Sequence, residues 1–102
     1  MARFDAHRAR PPAAPGVPLL DVQADLLDAL RTRAVVPLPR PSEVPRPIRD
    51  LDPVLRLAGE DRMVVPQAIS TVPRSALGAR VGSLAHEGAA ITRALDAPPT
   101  GF

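Results

Sequence analysis

Proline sets the limits on what this chain can build. Fourteen of its 102 residues are proline. They fall in clusters that cut the chain into short pieces. Pro11 to Pro18 holds four prolines and a glycine and reads as a loop, and Pro39 to Pro47 holds four prolines in nine residues. Proline fixes φ and has no N–H to donate, so neither a helix nor a central strand runs through such a cluster. Six glycines bring Pro plus Gly to about a fifth of the chain, below the roughly 25–30% of low-complexity sequences. Hydrophobic residues make up 45% and charged residues 24%, which is ordinary for one small globular domain spanning residues 1–102.

Other classes drop out quickly. There is no cysteine, which excludes a disulfide scaffold, a thiolate metal site and a cysteine nucleophile. No apolar run reaches the ~18 residues of a membrane span. The first ten residues lack the apolar stretch of a secretory signal, so the expected compartment is the cytoplasm, with no membrane partner. The pI of about 10.9 looks nucleic-acid-like but rests on a net charge of only +2. Every one of the 13 basic residues is Arg and there is no Tyr, so nothing titrates between histidine and arginine. The charges are interspersed rather than blocked, and a basic nucleic-acid patch is weakly supported.

The core has little to work with. Leu, Val, Ile, Met and Phe together number 29, and there is no Trp or Tyr. A domain this size buries only ~60–70% of its unfolded surface. Self-association is a physical remedy, and a homodimer is expected.

Arg3 to Ala9 alternates loosely and reads as a strand with Phe4 and Ala6 inward. Leu19 to Asp25 reads as a second, with Asp21, Gln23 and Asp25 on one side and Val22 and Ala24 on the other. Leu26 to Arg33 is a short helical turn or a loop. Ala34 to Leu38 is apolar and β-branched, a strand near its end at Pro37. Val54 to Leu57 and Arg62 to Ile69 flank Ala58-Gly59-Glu60-Asp61, which predicts a hairpin with a four-residue connection. Pro66 makes its second strand an edge or a bulged one. The period then changes: Leu84, Gly88, Ile91 and Leu95 form one stripe of a helix, capped by Ser83 and ended by Pro98 and Pro99. Strands first and one helix last imply an α+β domain with a mostly antiparallel sheet.

Catalytic chemistry is not visible, so no catalytic residue, metal ligand or cofactor is expected. His7 and His86 lie in different elements and read as surface or structural histidines. There is no Gly-Xaa-Ser-Xaa-Gly elbow, and the glycines stand singly, with no phosphate-cradling loop. Asp21, Gln23 and Asp25 could hold a cation, but a polar sheet face explains them as well. Glu60 and Asp61 read as a solvated hairpin tip. Pro39 to Pro47 could be a polyproline II ligand, though a stiff surface loop suffices. The sequence points to a small binding protein.

From Leu20-Asp21-Val22-Gln23-Ala24-Asp25-Leu26-Leu27-Asp28 onward the chain resembles the CcdB family of toxin–antitoxin toxins. Val35-Val36-Pro37-Leu38, Asp52-Pro53-Val54 and Thr71-Val72-Pro73 with Ser75 and Leu77-Gly78 continue the match. The helix adds Val81, Leu84, His86, Ile91 and Ala94. The resemblance implies an SH3-like barrel of mostly antiparallel strands with a wing sheet and a C-terminal α-helix, the fold shared by CcdB and MazF toxins. It implies a homodimer that binds the A subunit of DNA gyrase and traps it on cleaved DNA, with no chemistry of its own. It also implies a CcdA-like antitoxin partner, autorepression with DNA touched only through the antitoxin, and a role in plasmid maintenance or growth control.

The family's gyrase-binding tip reads Trp-Gly-Ile, and the matching positions here are Thr100, Gly101 and Phe102. A buried interface Trp is often worth ~2–4 kcal/mol, so its loss weakens binding by roughly 30- to 700-fold. Phe102 restores one ring at the chain end. Two alternatives follow: poisoning with Phe102 as anchor, or a protein that keeps only antitoxin binding and autoregulation. A third is a MazF-like endoribonuclease. Those carry a Gly-Asp pair and a strand Arg-Pro pair, whereas here the Arg-Pro pairs, Arg10-Pro11, Arg40-Pro41 and Arg46-Pro47, fall in loops.

Overall fold

A computed structural model describes residues 2–10, 16–27, 29–45 and 52–96. Among the described residues, seven strands and one α-helix follow one another: β1 (Asp5–Ala9), β2 (Leu19–Asp21), β3 (Thr32–Pro37), β4 (Val54–Leu57), β5 (Glu60–Met63), β6 (Ser70–Pro73), β7 (Leu77–Ser83) and α1 (Gly88–Asp96). Five strands make an antiparallel sheet in the order β6-β3-β2-β1-β7, and β4 and β5 form a separate hairpin. The order strands-then-helix is the expected α+β arrangement. Among the described residues β6 and β7 are the edges of the main sheet, so it is not closed and the expected barrel describes it only loosely.

The core lies between one face of the sheet, the hairpin and the helix. Ala6 and Leu20 face each other across β1 and β2, and Leu20 faces Val36 across β2 and β3. With Val22, Leu38, Leu57, Val64, Leu84 and Ile91 they form one buried cluster, against which Phe4, Leu55 and Leu95 pack. The helix stripe is as the spacing predicts, since Leu84 and Ile91 are fully buried and Leu95 joins them. Ser83 is not the N-cap: its hydroxyl accepts the Ala85 N–H, but a 3-10 turn, Ala85–Glu87, precedes the α-helix, and the cap position of that turn is Leu84, which makes no side-chain cap bond. α1 begins at Gly88, where a Cβ would stand 2.9 Å from the Phe4 ring, so the missing side chain lets Phe4 pack close to the helix start. Whether Pro98 and Pro99 end the helix lies outside the described residues.

Several boundaries differ from the sequence reading. β1 starts at Asp5; Phe4 sits in the preceding turn with φ 71, and reaches the core from there. The hairpin connection is two residues, not four. Leu57 pairs with Glu60, and Ala58 and Gly59 both take positive φ, 51 and 82, the geometry of a type I′ turn that matches strand twist. β5 stops at Met63, short of Pro66, which instead opens a 3-10 turn, Pro66–Ala68. The sequence pattern does not predict the sheet strands β6 and β7. Within Pro39 to Pro47 the backbone is not polyproline II at Pro41–Glu43, which is a 3-10 turn closed by the Glu43 carboxylate on the Arg40 N–H. Val44 is buried there with Met63 and Val65. Pro47 lies outside the described residues.

Candidate interaction surface

The expected strand from Leu19 to Asp25 ends at Asp21, and a buried polar knot is the reason. The Asp21 carboxylate accepts Arg33 Nε at 2.8 Å and Nη2 at 2.5 Å, and the Gln23 backbone N–H at 3.0 Å. An aspartate that captures the N–H two residues on makes a turn rather than a ladder. Gln23 completes it, because its side-chain oxygen accepts the Ala34 N–H at 3.0 Å and its amide donates to Leu27 O at 2.7 Å. One glutamine thus bridges the end of β2, the body of β3 and the loop between them. Asp21 and Gln23 are neither a cation site nor a solvated face; both are buried and already engaged. Among the described residues, no group of three or more His, Asp or Glu could hold a metal ion.

What the knot holds is a loop with its apolar side outward. The 3-10 turn Asp25–Leu27 is closed by Leu27 N–H to Ala24 O, and Leu30 N–H then reaches Leu27 O. Leu26 is 92% exposed, Leu27 48% and Leu30 47%. Scattered surface leucines are ordinary, but three on one braced turn are a contact surface in waiting. The sequence signal was there: three leucines within five residues, in a segment too short to bury them on a helix.

The other sequence candidates separate. His7 is buried on β1, its Nδ1 3.1 Å from Gly78 O, while His86 is exposed beside α1. Glu60 pairs with Arg62 at 2.9 Å and Asp61 with Arg56 at 3.2 Å, so the hairpin carboxylates form no acid–base pair. Arg40 lies in a loop, as expected of that Arg-Pro pair. Thr100, Gly101 and Phe102 lie outside the described residues, beyond a helix seated by Ile91 and Leu95. No helix among the described residues is long and apolar enough to cross a membrane.

An open sheet with a wing hairpin and a C-terminal helix is an arrangement shared with solved endoribonuclease and toxin structures. A mycobacterial endoribonuclease solved in complex with its cognate antitoxin superimposes with a TM-score of 0.75 at 18% identity, over 93% of this chain and 90% of that one. Another mycobacterial endoribonuclease gives 0.68 at 17%, over 93% and 86%. The Mycobacterium tuberculosis toxin MazF-mt6 gives 0.69 at 20%, over 89% and 91%. At these identities the likeness shows the fold alone. No curated protein matches the sequence. The sequence does match the CcdB protein family over residues 3–101, and the chain belongs to that family.

Proposed function

We propose that this chain is the toxin of a toxin–antitoxin pair and acts, as a homodimer, by binding the A subunit of DNA gyrase without chemistry of its own. The family match over residues 3–101 carries the reading, because it runs through the helix and on to Gly101. The exposed turn of Leu26, Leu27 and Leu30 supports it, since a protein that works by docking needs apolar surface outside its core. Thr100, Gly101 and Phe102 are the tip that would enter the enzyme. A CcdA-like antitoxin would neutralise the toxin and carry the pair to DNA for autorepression.

The substitution of Thr100 for the family Trp favours a second reading, a scaffold that retains its antitoxin but not its target. Kinship of fold with endoribonucleases gives a third. One assay separates them. Purified protein is incubated with its host's gyrase and supercoiled plasmid, beside Thr100→Trp and Phe102→Ala variants, and linear DNA is measured after denaturation. Linear DNA from the wild type, lost with Phe102→Ala, supports poisoning. Linear DNA from Thr100→Trp alone supports the lost-target reading. With neither active, the gyrase proposal fails, and cleavage of total RNA by the same protein would establish the third.

A further inference from the structure

We propose that the cleft between β7 and the tip of the β4–β5 hairpin binds a short peptide segment of a partner protein in which acidic and aliphatic side chains alternate. The cleft has a volume of about 730 Å³, the size of a site for a short ligand. Its shape comes from β7. Pairing with β1 runs Ala6 to Gly82, then His7 to Arg80, then Ala9 to Leu77, so β7 carries an extra residue twice within six positions. Bulges of this kind bend a strand and re-aim its side chains, and here the bent part, Ala79 to Val81, forms a wall of the cleft. At Gly82 a Cβ would stand 2.8 Å from Leu57 Cδ1. That glycine lets the hairpin approach closely.

The lining has two chemistries. Val17, Leu57 and Val81 supply aliphatic surface, while Arg8, Arg62 and Arg80 supply cations against one carboxylate, Glu60. Two of these charges are already committed to each other: Glu60 binds Arg62 at 2.9 Å, and Arg62 also donates to Leu38 O. The remaining two are available. Arg8 is exposed and has no ion pair among the described residues. Arg80 gives its Nε to Asp5 at 3.2 Å while its side chain stays 55% exposed, leaving the terminal nitrogens for a ligand. A guanidinium with free donors takes a carboxylate in a bidentate pair. Cations interleaved with aliphatic surface fit a peptide of alternating Glu and Val type. Single-stranded nucleic acid is disfavoured, because it relies on aromatic side chains for base stacking and none lines the cleft.

The test is fluorescence anisotropy at low salt with a labelled octapeptide alternating Glu and Val. The same peptide with Gln for Glu and a labelled oligouridylate of equal length are the comparisons. The acidic peptide should saturate, and the Gln peptide should bind about tenfold more weakly or worse, the value of a charge-assisted bond. Arg8→Glu and Arg80→Glu should each weaken the acidic peptide by a similar factor. Arg80→Gln, which can still donate to Asp5, should weaken it too. Arg56→Glu, outside the cleft, should change affinity less than about twofold, with circular dichroism confirming that each variant folds. Absence of saturable peptide binding overturns the proposal. So does wild-type affinity in the Arg8 and Arg80 variants, or tighter binding of the oligouridylate. The proposal does not depend on what the C-terminal tip binds, so either result leaves the gyrase reading standing.

Discussion

Asp21→Ala should be among the most costly single changes in this protein. Both Asp21 and Arg33 have side chains with 0% exposure, and they are joined by two hydrogen bonds. Removing the Asp21 carboxylate takes two charge-assisted hydrogen bonds from a buried guanidinium, and breaking a buried pair in this way costs about 3–5 kcal/mol. A domain of this size has only about 5–15 kcal/mol in total. Each kcal/mol moves Tm by roughly 4–8 °C in domains of up to about 100 residues, so Asp21→Ala should melt at least ~12 °C lower. Urea titration followed by far-ultraviolet circular dichroism should show the midpoint falling by more than about 1 M for slopes of about 1–3 kcal/mol/M. The loss should change little between low and high salt, because a buried pair is poorly screened. A double variant, Asp21→Leu with Arg33→Met, separates the cost of breaking the pair from the worth of having it. Apolar replacement of a buried pair is often neutral or stabilising, so the double variant should recover most of the loss. A single variant costing less than ~1 kcal/mol, or a double variant whose loss is the sum of its parts, would refute the argument.

Ala58 holds φ 51 at a hairpin position that Asn fills readily, so Ala58→Asn should stabilise by up to about 1 kcal/mol, measured as a rise in Tm. Asp52 is held above its ordinary value of 3.8 by burial, against which the Gln67 hydrogen bond acts. Because the folded state binds the proton more tightly, its contribution to stability is greatest below pH 3.8 and is lost as pH rises through the raised value. Asp52→Asn should therefore flatten the pH dependence of the urea midpoint between pH 3.8 and the raised value, and raise stability at neutral pH. Leu26→Asp should leave stability within about 0.5 kcal/mol, as expected for an exposed site, while reducing the linear DNA released in the gyrase assay.

What could be read from the sequence was whatever depends on local period or local backbone. The stripe from Leu84 to Leu95 predicts its own buried face, and β3 announces itself through Val35 and Val36. β6 and β7 were not legible because their partners are remote: Ser70 pairs with Val35, and Leu77 with Ala9. Their burial is mixed, with two bulges in β7, so no clean alternation survives. The end of β2 is hidden from the sequence pattern for a different reason. Alternation from Leu19 to Asp25 fits a strand, but Asp21 takes the Gln23 N–H and bends the chain. Only the knowledge that Arg33 lies beneath Asp21 decides between the two.

The same knot bears on function. Burying a guanidinium and a carboxylate costs desolvation that an apolar pair would avoid, so stability alone does not explain their presence. Their position suggests what they add. Asp21 fixes the start of the turn and Arg33 fixes the strand to which it returns, while Gln23 holds Leu27 O and the Ala34 N–H at once. Directional bonds can hold a backbone without any apolar burial by the segment itself. An apolar anchor at the same place would draw Leu26 or Leu27 into the core, whereas the polar one leaves them in water. A protein that acts by presenting a surface gains from that separation. Its framework is secured by hydrogen bonds beneath the turn, and its leucines remain free for a partner.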